Sequence, residues 1–173
     1  MKITQNLGLR YSQSGDKGNG EIVAYSDASH NDGDNGKSTL GHVVFLHSFP
    51  ISWCSKLSAG QAQSAMESEI FGVNGAIREA MWTYYVLQEL LLQDPLPIVL
   101  YCDNNPAIQT CQRARVTEQN KHIKPKYFFV VQLVEKGIVD IQHVPSAEQI
   151  ADILTKSLGN PQFSQLRKMM HIC

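Results

Sequence analysis

The chain has 173 residues, 43% hydrophobic and 18% charged, with a net charge of −1, enough for one compact domain with a sizeable core. Near-neutral charge gives no general case for nucleic-acid binding. No apolar run reaches the roughly 18 residues of a membrane span, and the opening Met1-Lys2-Ile3-Thr4-Gln5-Asn6 lacks a signal-peptide pattern. The expected setting is the cytosol or nucleus. Cys54, Cys102, Cys111 and Cys173 form no CxxC pair, and the six histidines are scattered. That argues for reduced thiols and against a zinc site.

Residues up to about Tyr11 are too few for a domain, and residues 12–20, rich in Gly and polar side chains, read as a linker. Glu21–Asp27 reads as a strand followed by a turn-rich loop, His30–Lys37. Leu40–His47 and Ile51–Leu57 read as two more strands, joined tightly at Ser48-Phe49-Pro50. A long helix is expected from about Ser64 to Gln93, then a short buried strand at Pro97–Asp103. Asn105-Pro106 has the form of a helix N-cap followed by proline in the first turn, giving a helix over about 106–114. Another helix over about 122–136 should end at Gly137.

Ile138–Val144 reads as the last strand, Ser146-Ala-Glu-Gln149 as a capping box opening a helix to about Leu158, and residues 161–171 as one more helix. Three leading strands joined by short turns favour antiparallel pairing, and the later helical crossovers favour parallel pairing. The expected fold is therefore α/β, a mixed five-stranded sheet with helices packed on it.

Two strands end in aspartate, Asp27 in Tyr-Ser-Asp and Asp103 in Tyr-Cys-Asp. Functional groups of such sheets collect at strand ends, although an aspartate there also serves as a turn-former. The long helix offers Glu67 and Glu69, and its apolar stripe is Met66, Val73, Ile77, Tyr84 and Leu91. At about 100° per residue, Glu69 lies roughly 60° from the stripe centre and Glu67 roughly 100° away. Glu67 also stands three residues after Ser64, where a capping box accounts for it. Glu69 has no such account, and a carboxylate at the edge of a buried face needs a partner.

On the last capped helix, Asp152 and Glu148 share a side, and periodicity does not choose between them. Converging carboxylates repel unless divalent cations neutralise them, and oxygen-only ligation suits magnesium or manganese. Arg113, Arg115, Lys121, Lys124 and Lys126, followed by Tyr127, Phe128 and Phe129, form one basic-aromatic stretch. It is either a phosphate contact or a solvated helix end.

With these residues in view, the chain resembles the ribonuclease H (RNase H) domain of copia-type LTR retrotransposon polyproteins. The resemblance rests on Tyr25-Ser-Asp-Ala-Ser29, Lys37-Ser-Thr-Leu-Gly41, Pro50-Ile-Ser-Trp53, Glu67-Ser-Glu69, Ile77-Arg-Glu-Ala-Met-Trp82, Tyr101-Cys-Asp-Asn104, Lys121-His-Ile123, Val144-Pro145 and Ala151-Asp-Ile-Leu-Thr-Lys156, in the family's order. It implies that Asp27, Glu69, Asp103 and Asp152 bind two magnesium ions, for which manganese can substitute. The implied reaction is hydrolysis of the RNA strand of an RNA/DNA hybrid during reverse transcription.

The resemblance also makes residues 1–20 the end of a preceding reverse transcriptase and 21–173 the nuclease domain, residing in a cytoplasmic virus-like particle or the nucleus. Implied partners are the hybrid and that reverse transcriptase, with no membrane and no small-molecule cofactor; Asn104, Arg113, Lys121 and Lys124 are the expected nucleic-acid contacts. The chain departs from the pattern at Ser29, where the family has a second acid, and at Lys124-Pro125, where an aspartate often follows Lys-His-Ile. Val144–Gln149 lacks the histidine that many relatives carry before the last acid. His143 precedes that loop in a strand and is given no catalytic role, which leaves Glu148, solvent or no general acid. The rival readings are a domesticated copy that keeps the fold for binding, and a transposase-like nuclease acting on DNA.

Overall fold

The computed structural model describes residues 6–11, 21–32, 36–91, 97–112 and 124–173, without the side chains of 124–127. The linker stretch 12–20 and the C-terminal end of the expected long helix lie outside them. Strands β1 (Ile22–Ser29), β2 (Lys37–Leu46) and β3 (Phe49–Gln61) pair antiparallel, with Asp27 opposite Gly41 and Gly41 opposite Ser55. The β2–β3 turn lies one residue earlier than expected. His47 and Ser48 take positive φ (50° and 70°), as tight hairpin turns require, and Phe49 and Pro50 already belong to β3. Proline is tolerated there because β3 is an edge strand.

β4 (Ile98–Cys102) runs parallel to β1, and β5 (Val139–His143) runs parallel to β4, giving the mixed sheet β3-β2-β1-β4-β5. The parallel pairing brings the carboxyl ends of β1 and β4, and hence Asp27 and Asp103, to the same edge.

Helix α1 (Ala65–Leu91) covers one face. Its start is fixed as the sequence suggests: the Glu67 N–H donates to Ser64 Oγ (3.1 Å), while Glu67 Oε2 accepts the Gln63 N–H (2.7 Å), one residue before the usual target. Val73, Ile77 and Tyr84 of the expected stripe are buried with Ile22, Ala24, Leu100 and Ile141, whereas Leu91 is 45% exposed. Length explains the difference. A helix of 27 residues is about 40 Å long, longer than any strand of five to eight residues beneath it.

Helix α2 spans Asn105–Gln112 and is capped by Asn104, not Asn105, through Ala107 N–H to Asn104 Oδ1 (2.9 Å). Helix α3 (Lys124–Glu135) ends at Gly137, which takes φ +67° with the paired bonds Gly137 N–H to Val134 O and Ile138 N–H to Leu133 O.

The expected capped helix from Ser146 to Leu158 is not formed. Two short 3₁₀ turns, Ser146–Glu148 and Ile150–Leu154, stand in its place, and no side chain caps the first. Gln149 breaks the run with ψ 95°. Its fully buried side chain accepts from Ala151 N–H (3.3 Å) and donates to Ser26 O (3.1 Å), tying the segment to β1.

Helix α4 (Asn160–Met169) follows, and the second face of the sheet closes over Val43, Phe45, Ile150 and Met170. Residues near the start return to this end: Gly8 N–H donates to Cys173 O (2.9 Å), Arg10 N–H to His171 O (2.9 Å), and Tyr11 OH to Pro50 O (2.9 Å). Among the described residues no helix is long and apolar enough to cross a membrane.

Candidate metal centre

The end of β1 brings in Asp27, fully buried, and the end of β4 delivers Asp103, half-exposed just past Cys102. The second 3₁₀ turn adds Asp152, which is 3% exposed. One carboxylate oxygen from each of Asp27, Asp103 and Asp152 falls within 4.8 Å of the others. Glu69, 6% exposed on the first turns of α1, joins Asp103 and the Cys102 thiol in a second grouping of the same tightness. The two groupings share Asp103.

Close backbone approaches set up this convergence. A Cβ on Gly41 would lie 2.5 Å from Thr155 Cγ2 and 3.1 Å from Ala151 O, so only glycine lets the 3₁₀ segment settle on β2. Thr155 Oγ1 then donates to Asp27 Oδ2, and Ser55 Oγ donates to Leu154 O (2.6 Å). A Cβ on Gly72 would meet Asp27 O at 3.2 Å, so this glycine gives α1 its close seat on β1. Ser146 Oγ donates to Asp103 Oδ2 (3.0 Å), holding the third carboxylate from the first 3₁₀ turn.

The electrostatics are those of crowded, buried acids. Burial pushes the Glu69 carboxyl up to about 9, and the charges of Asp27 and Asp103 push the same way; Lys156 and the Ala28 N–H oppose them. Burial also raises Asp152, to about 6, against the hydrogen bond from Lys156. Lys156 Nζ stands 3.0 Å from Asp27 Oδ1 and 2.8 Å from Asp152 Oδ1. Burial alone lowers its ammonium, but these two carboxylates outweigh that and raise it.

Burial, followed by the Glu69 charge, raises the Cys102 thiol, whose Sγ lies 4.0 Å from Glu69 Oε2 as a donor. In the metal-free protein Cys102 is therefore a protonated thiol, turned as a donor toward Glu69. The remaining donors are carboxylate oxygens, a set that fits magnesium or manganese.

Of the acids expected from sequence, Asp27, Glu69, Asp103 and Asp152 come together, and Glu148, exposed, is not among them. Glu67 is also buried, at 8% exposure, but its carboxylate serves the α1 cap. Asn104 lies beside Asp103 with Oδ1 committed to α2. Arg113 and Lys121 lie outside the described residues, as does the side chain of Lys124 at the start of α3. His143 is exposed at the end of β5.

Sequence reasoning missed Ser146, Thr155 and Lys156 as members of the site. For Lys156 a signal existed, its i+4 spacing from Asp152; nothing local pointed Thr155 at a strand 128 residues away.

No family model matches the chain. Among known proteins it is 36% identical over 152 residues to the retrovirus-related Pol polyprotein from transposon RE2 of Arabidopsis thaliana, covering 87% of this chain and 10% of that protein. It is 38% identical over 143 residues to the corresponding polyprotein from transposon RE1 of the same plant, covering 82% and 10%.

Over most of its length the chain is homologous to retrovirus-related Pol polyproteins from copia-type transposons. It spans about a tenth of the length of these relatives. Among solved structures, the N-terminal RNase H domain of rv2228c from Mycobacterium tuberculosis matches with a TM-score of 0.58 at 17% identity, covering 86% of this chain and 97% of that one. A compost RNase H1 in complex with RNA/DNA hybrid matches with a TM-score of 0.55 at 17% identity, covering 78% and 94%. The chain has the RNase H fold.

Proposed function

We propose that this chain hydrolyses the RNA strand of RNA/DNA hybrids, using divalent metal held by Asp27, Glu69, Asp103 and Asp152. The observation that carries the reading is the convergence of Asp27, Asp103 and Asp152 within 4.8 Å, with Glu69 joined to them through Asp103. The RNase H fold, and the hybrid bound to the compost enzyme of that fold, support RNA/DNA hybrid as the substrate class. Two carboxylate groupings that share one aspartate suit a pair of ions, and bound there magnesium or manganese supplies an activated water and stabilises the leaving oxygen.

The chain's own residues do the positioning. Asp27 is held by Thr155, Asp103 by Ser146, and Glu69 by the Ala28 N–H. Water adds to phosphorus as the P–O3′ bond breaks, leaving a 3′-hydroxyl and a 5′-phosphate. RNA is distinguished through its 2′-hydroxyls and groove shape rather than base sequence. Asn104, Arg113, Lys121 and Lys124 contact the nucleic acid, and the reverse transcriptase of the same polyprotein raises the hybrid's effective concentration by tethering.

The test is a hybrid labelled separately on each strand, incubated with the wild type and with Asp103→Asn, in magnesium and in EDTA. Cleavage of the RNA strand alone, requiring magnesium and lost in the variant, is expected. Cleavage of the DNA strand, or undiminished cleavage by Asp103→Asn, overturns the reading.

A further inference from the structure

The Lys156 ammonium lies inside the proposed metal centre. Its Nζ is 3.0 Å from Asp27 Oδ1 and 2.8 Å from Asp152 Oδ1, bridging two of the three carboxylates that form one candidate cation position. Those two aspartate side chains are 0% and 5% exposed, whereas the lysine side chain is 37% exposed. The lysine thus reaches inward from the surface and places its charge between buried acids. A divalent ion held by both carboxylates sits about 2.1 Å from each oxygen. Such an ion and the ammonium would share the same small volume with like charge. Both cannot be there together.

The geometry points to Lys156 as an internal placeholder cation. It holds the Asp27–Asp152 position assembled before metal arrives, and it swings out toward solvent when a divalent ion takes that position. The exposed stem gives it somewhere to go, because a lysine side chain readily exchanges a buried partner for hydration. In the other grouping, Glu69 with Asp103, no lysine ion pair forms among the described residues, although the Lys156 charge is felt at Glu69. The two positions are therefore unequal: the Asp27–Asp152 position fills later and more weakly, since metal must first displace two charge-assisted hydrogen bonds.

This inference rests on the proposed metal centre, so its test separates the two. Manganese binding to the whole chain is followed by electron paramagnetic resonance, together with melting temperature in EDTA, for the wild type, Lys156→Met, Lys156→Arg and Asp103→Asn. Giving up even one charge-assisted hydrogen bond corresponds to about a tenfold to hundredfold difference in affinity. Lys156→Met should accordingly bind manganese at its weaker position at least about tenfold more tightly than the wild type, while melting lower in EDTA. Lys156→Arg, which keeps a cation, should restore the melting temperature without the gain in affinity, and guards against a Met variant that folds poorly.

A lysine that merely braces the fold would lower the melting temperature of Lys156→Met but leave manganese binding unchanged or weaker, and that result overturns the inference alone. Manganese binding absent from the wild type and Lys156→Met, or unaffected by Asp103→Asn, overturns the metal centre and the inference with it.

Discussion

Replacing Glu69 by glutamine should abolish cleavage and yet stabilise the metal-free protein, increasingly as pH rises. Glu69 is 6% exposed, and its carboxyl is raised from an ordinary 4.5 to about 9, by burial first and by Asp27 and Asp103 next. Below about pH 4.5 the group is protonated in both folded and unfolded chains. Between about 4.5 and 9 the folded protein keeps a proton that the unfolded chain releases, so stability falls with rising pH through that window and levels off above it. At about 1.4 kcal/mol for each pH unit, the loss approaches ~3 kcal/mol by pH 7 and ~6 kcal/mol near pH 9, as upper values before the site relaxes.

Asp152, raised to about 6, adds a slope of the same sign nearer pH 4–6 in both proteins. Lys156 is raised, so its contribution is lost only above the ordinary lysine range. The difference between wild type and Glu69→Gln therefore isolates Glu69. Urea unfolding in EDTA at pH 5, 7 and 8.5 measures it. Near-equal stability is expected at pH 5, with the variant ahead by at least ~1 kcal/mol at pH 7 and by more at pH 8.5. Parallel curves across the window, or a wild type that gains stability toward pH 8.5, would refute the reasoning.

Glu67→Gln should behave differently although Glu67 is equally buried. Its Oε2 accepts the Gln63 N–H at 2.7 Å, a role glutamine retains. Cleavage within about threefold of wild type and a stability change below ~1 kcal/mol are expected, and a loss comparable to Glu69→Gln would reverse the two assignments. Gly41→Ala drives a Cβ to 2.5 Å from Thr155 Cγ2 and 3.0 Å from Leu154 Cβ. A destabilisation of about 1–3 kcal/mol by urea titration is expected, with slower cleavage as Thr155 is pushed from Asp27. An alanine variant that unfolds and cleaves like wild type would show that the 3₁₀ segment does not depend on this approach.

The elements whose signals are local were legible in the sequence. The alternating strands, the Ser64 cap of α1 and the Gly137 stop of α3 each rest on residues within a few positions of one another, and all three appear. The strand-end aspartates followed from the strand assignments alone. Helical facing set Glu69 apart from Glu67, but in the folded chain both are buried, and what distinguishes them is the cap that occupies Glu67 and the grouping with Asp103 that Glu69 joins.

The stretch after β5 was not legible in the same way. Its spacing imitates a capped helix, but burial of Gln149 against Ser26 breaks it into two 3₁₀ turns. Helical periodicity placed Glu148 and Asp152 on one side, while the folded chain leaves the first exposed and buries the second. Thr155 and Lys156 reach Asp27 across 128 and 129 residues. Local patterns record which face of an element turns inward. Only the packing of remote segments, here admitted by the absence of a side chain at Gly41, decides which groups from different elements meet at one point.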